Sequence, residues 1–319
     1  MREHLDIRPY QKGDEKEILE LFGHAFAPRQ LSLPYWSWRF QDNPYGPAVI
    51  ELAWQNDRLV AHYAVTRLMM RIAGETLCAG LTGTVMTHRD FRGRGLLSAL
   101  GRKAYQDMAD QGIKLVWGFP NSTSHRTFVR DLHWRDIYEV PMFRLPLNAL
   151  KAPSLQNNPC VREGIDVDER FDRLWRRVCG DYDMVVCRNR AYLAWRLAKP
   201  TERYRVVTFS DGDELRGYAV FKRYSDEFQL VDLLSAKNDR EAAAGLIGFV
   251  IRRGLEEKVQ SVSLWLAVAH PVHSVLESLG FRPEGPVTYL AGLALDPDLD
   301  QTIYDHRRWS ISMIDSDVF

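Results

Sequence analysis

Residues 82–111 read TGTVMTHRDFRGRGLLSALGRKAYQDMADQ, and the fold turns on how this stretch is parsed. Thr82 to Thr87 ends a β-rich run that begins at Glu75, Arg92-Gly93-Arg94-Gly95-Leu96-Leu97 is an arginine- and glycine-rich turn, and Gly95 to Gln111 has helical spacing. Two glycines without Cβ let the backbone wrap closely round a ligand. The unpaired N–H groups of the first helical turn then point outward with the positive end of the helix dipole. Arg89, Arg92 and Arg94 add planar forks that suit phosphate oxygens. A glycine turn alone says little, but a strand before it and a helix after it make a cradle for a pyrophosphate.

The order strand, Arg-x-x-Gly-x, helix, strand resembles the coenzyme A-binding motif of the GCN5-related N-acetyltransferases (GNAT). The family pattern runs Gln/Arg-x-x-Gly-x-Gly/Ala; Arg92 and Gly95 match its first and fourth positions, and Leu97 stands where glycine or alanine is usual. Much of residues 1 to 146 follows the family's order of elements. The resemblance implies acetyl-coenzyme A as cosubstrate, no metal, and direct attack by a primary amine. It assigns the cosubstrate to the turn Arg92, Gly93, Arg94, Gly95, Leu96 and Leu97 and to the backbone of Val85, Met86 and Thr87. The pantetheine arm would enter at the splay from the next strand, Leu115 to Phe119. Asn121 matches the polar residue usual after that strand, and it is equally an N-cap for a helix over Ser122 to Asp131.

Composition narrows the alternatives. The 319 residues carry 42 basic and 42 acidic side chains, are 45% hydrophobic and 26% charged, and suggest a two-domain globular chain with no nonspecific affinity for nucleic acid. The opening Met1 to Asp6 is too polar for a secretory signal, and the longest apolar run, Ala242 to Ile251, is too short to span a bilayer. The expectation is a cytoplasmic protein with no membrane partner. Cys78, Cys160, Cys179 and Cys187 lack metal-ligand or disulfide spacing.

The second half echoes the first. Tyr35-Trp36-Ser37-Trp38-Arg39-Phe40 returns as Tyr192-Leu193-Ala194-Trp195-Arg196-Leu197, Tyr63-Ala64-Val65 as Tyr218-Ala219-Val220, and Leu132-His133-Trp134 as Leu279-Gly280-Phe281. An ordered series of such matches argues for duplication of one unit. The expected fold is therefore α+β, two tandem GNAT-like domains over 1–150 and 160–319, each a mixed, mostly antiparallel sheet flanked by helices, joined across Lys151 to Pro159. In the second copy the helix over Arg240 to Glu257 begins with Asp239 and Glu241 in place of glycines and arginines, a field that repels pyrophosphate. That copy is expected to be catalytically silent; the resemblance gives it the role of walling the acceptor pocket or holding a homodimer.

Candidate proton carriers are sparse. Where the family places a tyrosine in the following helix this chain has Val129 beside Phe128, so His125 is the nearest titratable substitute for protonating the thiolate. His133 is a weaker candidate, and His24 and His62 are read as core or surface residues with a place on the acceptor side left open. Tyr35 and Trp38 read as core, since Tyr192 and Trp195 repeat them, whereas Trp36 is free to stack on a flat acceptor. At the end of the chain Trp309 to Met313 alternates like a strand, and a finish on Val318-Phe319 suggests a docked terminus pinned to the second sheet. Resemblance to the enhanced-intracellular-survival type acetyltransferases implies a second role: the carboxylate of Phe319, or Asp315 or Asp317, as the catalytic base. The acceptor is expected to be a small-molecule amine, with amino sugars, aminoglycosides and peptides all within the family's range. An acyl-coenzyme A-binding regulator, or a scaffold that has lost the cosubstrate, are the competing readings.

Overall fold

The computed structural model describes residues 5–148, 150, 158–164, 166–316 and 318–319. The expected linker 151–159 therefore falls largely outside the described residues, as does Asp317. The first half runs β1 (Leu5–Pro9), α1 (Glu15–Phe26), α2 (Leu33–Phe40), β2 (Val49–Gln55), β3 (Arg58–Ile72), β4 (Glu75–Thr87), α3 (Leu96–Asp110), β5 (Leu115–Gly118), α4 (His125–Asp131) and β6 (Arg135–Pro146). The second runs β7 (Val161–Glu163), α5 (Glu169–Val178), β8 (Met184–Val186), α6 (Arg190–Leu197), β9 (Arg205–Asp211), β10 (Glu214–Tyr224), β11 (Glu227–Ser235), α7 (Arg240–Glu256), β12 (Ser261–Trp265), α8 (His273–Ser278) and β13 (Arg282–Ala294), before a short α9 (Asp300–Ile303). Apart from β8, the order of elements in the first half recurs in the second.

The fold is α+β, as expected. One mostly antiparallel sheet orders its strands β1-β2-β3-β4-β5-β13-β6-β12-β11-β10-β9-β7, with β8 attached to β3. The halves exchange their last strands: β13 lies between β5 and β6, and β6 pairs with β12. The crossing is close enough that a Cβ on Gly292 of β13 would meet Val116 O at 2.7 Å, so only glycine fits there.

Helices cover both faces, which explains why β3 is buried continuously from Leu59 to Thr66 instead of alternating. Ile18, Leu21, Trp36 and Phe40 of α1 and α2 pack on Ile50, Leu52 and Ala64. Leu96, Leu100, Ala104 and Met108 of α3 pack on Ala53, Tyr63 and Val65 from the other side. A third cluster joins the halves, and at its centre Trp38 and Trp195 stack with centroids 5.2 Å apart. Each indole N–H donates to the other residue's carbonyl, at 2.7 and 2.8 Å, so the repeated helices α2 and α6 meet as near-equivalents.

The expected strand over Trp309 to Met313 does not form. Trp309 makes a single bridge to Met184, Ser310 N–H donates to Met184 O at 2.8 Å, and Met313–Asp315 is a 3₁₀ turn. β8 is bonded along β3, and among the described residues the only main-chain contacts on its other edge are the Trp309 bridge and the Ser310 bond to Met184.

Candidate acyl-transfer site

Two pairs of strands in the sheet are parallel, β4 with β5 and β11 with β12. Pairing of β4 with β5 stops at Leu81 and Trp117, although β4 continues to Thr87. Beyond that point Val85, Met86 and Thr87 belong to a strand segment bonded only to β3, with Met86 opposite His62 and Thr87 opposite Ala61. Its other edge carries main-chain groups available to an extended ligand. A bulge marks the start of this segment: Thr84 has φ 57°, and His62 Nδ1 donates to Thr84 O across 2.8 Å. A non-glycine residue in that region costs about 1–2 kcal/mol, and such strain clusters at sites where a backbone must be re-aimed.

The chain then makes a 3₁₀ turn at Arg89–Phe91 and passes Gly93 (φ 76°) and Gly95 (φ 75°) into α3. No side chain caps α3, whose first main-chain bond runs from Ala99 N–H to Gly95 O. Its leading N–H groups are thus disposed as an anion site. Leu96 is buried and Leu97 half-buried against the α3 core, so both leave the mouth to their main chain. Arg92 is exposed, with long contacts from Nε to Thr87 O (3.4 Å) and from Nη2 to Ala25 O (3.5 Å). Arg94 lies over Phe91 at 4.7 Å and donates to Asp90 O. Beside this loop His24 rests on His88 at 5.3 Å, and burial with the Arg58 charge holds His88 below its ordinary pKa.

Asn121 does not cap the next helix. Its Oδ1 accepts from Thr123 and Ser124 N–H, both at 3.0 Å, in a turn that precedes α4, and α4 starts only at His125. His125 Nε2 donates to Asp136 Oδ1 at 2.7 Å, and its ring lies 4.8 Å from Tyr289. Val129 is exposed and Phe128 packs on Trp134 at 4.4 Å. The nearby phenols are inward: Tyr63 and Tyr105 share a hydrogen bond of 2.9 Å, Trp134 Nε1 donates to Tyr105, and burial pushes both phenols up. His62 is fully buried under the bulge, which drives its imidazole down to about 4.

The chain terminus comes to this region from the other half. The Phe319 ring stands 4.8 Å from Trp265, Trp265 lies 5.2 Å from Phe119, and Phe119 lies 5.7 Å from Trp117 at the β4–β5 splay. The main-chain oxygen of Phe319 accepts from Arg196 Nη2 (2.6 Å), Lys199 Nζ (2.8 Å) and Tyr204 OH (2.9 Å). Burial and the Arg196 charge push the Lys199 ammonium down to about 7. Asp315 is not a free base. Its carboxylate is fully buried, paired with Arg188 at 2.8 Å, and pushed up by that burial. The aromatic row and the cations round Phe319 were missed from sequence because they assemble residues from distant parts of the chain; the only signal was the repeated Trp-Arg of α2 and α6.

The second parallel pair differs chemically. Pairing of β11 with β12 ends at Gln229 and Ser263, leaving another splay. Asp239 caps α7 by accepting from Ala242 N–H at 3.0 Å, and Arg216 binds both Asp239 and Glu241. Between the strands lies a cavity of about 30 Å³, lined by Trp265, His270, Asp232 and Ser312 among others, room for about two waters.

Residues 6–135 match the family model described as the acetyltransferase (GNAT) domain. This segment resembles a GNAT domain. Solved structures extend the likeness to 92% of the chain. A conserved protein of unknown function and probable N-acyltransferase from Enterococcus faecalis V583 matches 92% of this chain and 73% of its own, at TM-score 0.74 and 15% identity. A GCN5-related N-acetyltransferase from Anabaena variabilis matches the same shares at TM-score 0.71 and 13% identity. Saccharomyces cerevisiae N-myristoyltransferase with bound myristoyl-CoA matches 92% of this chain and 83% of its own, at TM-score 0.62 and 10% identity. These identities speak for the fold. No curated protein sequence matches this one. The GNAT domain and its structural neighbours support acyl transfer in general terms. Among the described residues no helix is long and apolar enough to cross a membrane.

Proposed function

We propose that this protein is an N-acyltransferase that moves an acetyl or other short acyl group from coenzyme A to a primary amine. The observation that carries the reading is the β4–β5 splay running through Gly93 and Gly95 into an uncapped α3, inside a GNAT domain. The α3 N–H groups and Arg92 and Arg94 hold the pyrophosphate, and the unpaired edge of Val85, Met86 and Thr87 takes the pantetheine amides. The acyl carbonyl then lies at the splay, near Phe119. A neutral amine attacks it, the carbonyl carbon–sulfur bond breaks, and the thiolate leaves with the electron pair. The amine's proton goes to the carboxylate of Phe319 or to ordered water, and His125, oriented by Asp136, returns a proton to the thiolate. We assign 1–150 to the catalytic unit and 160–319 to a degenerate GNAT-like copy of it. The Asp239 cap on α7 supports leaving that copy without cosubstrate. Its Trp265 supports a role in walling the acceptor path.

Val129 at the position of the family's tyrosine favours one other reading, an acyl-coenzyme A-binding regulator without turnover. Calorimetric titration with coenzyme A, followed by thiol release from acetyl-coenzyme A across a panel of amines, tests both. Binding with thiol release supports the enzyme, and binding without release across broad acceptors supports the regulator.

A further inference from the structure

Four cations meet where the chain ends. Arg39, Arg196, Lys199 and Lys222 are 1%, 2%, 4% and 3% exposed, and Lys199 lies within electrostatic reach of the other three. Three have clear partners. Lys222 donates to Glu202 Oε2 at 2.7 Å and Lys199 stands 3.6 Å from Glu202 Oε1. Arg196 uses its donors well: Nε reaches Ile314 O (2.9 Å), Nη1 the Tyr204 hydroxyl (2.8 Å), and Nη2 both Ser316 O (2.8 Å) and Phe319 O (2.6 Å). Arg39 is the exception, since its Nε and Nη2 are buried without any hydrogen-bond partner. A guanidinium cannot shed its charge as a lysine can, so burying Nε and Nη2 without acceptors carries a desolvation cost that an incoming acceptor group recovers.

The internal repeat says what kind of group fits. Arg39 and Arg196 each follow the tryptophan of a repeated Tyr-x-x-Trp-Arg helix, and those helices face each other through the reciprocal Trp38–Trp195 bonds. On one side the guanidinium grips the main-chain oxygens of Ile314, Ser316 and Phe319. On the other, Nε and Nη2 of Arg39 lack a partner, and Arg39 is within electrostatic reach of Lys199, which donates to Phe319 O; the Phe319 ring leads through Trp265 to Phe119 at the splay. The permanent charge of a guanidinium favours an anionic oxygen over a neutral one, and its planar fork matches a carboxylate. We propose that Arg39 binds a carboxylate on the acyl acceptor, so that the acceptor class is an amino acid or a peptide bearing a free carboxylate. The proposal rests on the acyltransferase reading for the word acceptor, but the binding itself does not require turnover.

The test uses N-acetylglycine and N-acetylglycinamide, which differ only in the carboxylate, titrated calorimetrically into the full chain and its Arg39→Met variant. The wild-type protein should bind the acid at least tenfold more tightly than the amide. The variant should lose that discrimination while binding coenzyme A unchanged. Because Arg39→Met removes an uncompensated buried charge, its melting temperature in the absence of ligand should not fall below that of the wild type. If it fails to fold, Arg39→Lys carries the same comparison, keeping the charge and losing the fork; less than threefold discrimination is expected. Equal affinities in the wild type, or full discrimination in the folded variant, overturn the assignment. Thiol release towards amines without carboxylate discrimination sinks only the role of Arg39. Discrimination without thiol release sinks only the acyltransferase reading.

Discussion

Replacing Arg188 by methionine should lower the melting temperature by about 4–7 °C at pH 7. Arg188 is a single buried cation between two buried carboxylates, 3.1 Å from Asp232 Oδ2 and 2.8 Å from Asp315 Oδ2. Ser312 Oγ donates to Asp232 Oδ1 at 2.6 Å and Tyr218 OH donates to Oδ2 at 2.8 Å, so the network fastens the final segment of the chain to β11. Removing the cation leaves two buried carboxylates without their counter-charge, a loss of about 3–5 kcal/mol. Unfolding entropy of about 2.1 cal/mol/K per residue, over the whole chain, gives about 0.7 kcal/mol per degree and hence the quoted shift. The single continuous sheet justifies treating the chain as one cooperative unit. Burial already raises the Asp315 carboxyl and Arg188 opposes that rise, so without Arg188 the group protonates more readily. The deficit should therefore shrink as pH falls from 7 to 5. Thermal denaturation followed by circular dichroism at both pH values measures it. A drop below 1 °C at pH 7, or a deficit that grows towards acid, would refute the reasoning.

Four further outcomes follow from the same geometry. Gly95→Val places a branched side chain at φ 75° with nothing near its Cβ; the cost to stability should be at least the 1–2 kcal/mol or so of left-handed backbone, and coenzyme A affinity should fall at least tenfold, so unchanged affinity by calorimetry counts against the cradle. Titration should give one coenzyme A per chain, and two per chain would contradict the Asp239 argument for α7. His62 and His270 are buried neutral with pKa values lowered by desolvation to about 4, so stability should be intact above pH 6.5 and decline between 6.5 and 4 by about 3 kcal/mol for each histidine. Urea midpoints should show a shallower decline for His270→Gln, and an equal one would disprove the assignment. Deleting Phe319 should cut turnover at least tenfold with coenzyme A affinity unchanged; full activity would remove Phe319 from proton transfer.

Local elements were legible because their signals are local. The strand Glu75–Thr87 appears with the bounds read from its composition, and the helix expected over Gly95–Gln111 runs from Leu96 to Asp110, with Gly95 as its left-handed cap. The same holds for α7, whose start at Asp239 was visible as a capping carboxylate. Failures came where long-range pairing decides. Trp309–Met313 alternates like a strand but meets a β8 edge that offers it one bridge. Asn121 bonds the two residues before α4 instead of capping it, a choice between neighbouring turns that residue type does not separate. The exchange of β6 and β13 leaves no local mark, since each strand would be equally apolar beside its own half. The burial of Arg39, 1% exposed, and the pairing of Trp38 with Trp195, 157 positions away, are set by tertiary packing.

The central claim, that the Arg92–Leu97 turn binds coenzyme A for transfer to an amine, is tested most directly by titrating coenzyme A into the wild type and Arg92→Ala side by side. One site per chain is predicted, weakened by about 10- to 150-fold in the variant, as expected from a charge-assisted contact of about 1.5–3 kcal/mol. Absence of binding to the wild type, or equal affinity in the two proteins, would contradict it.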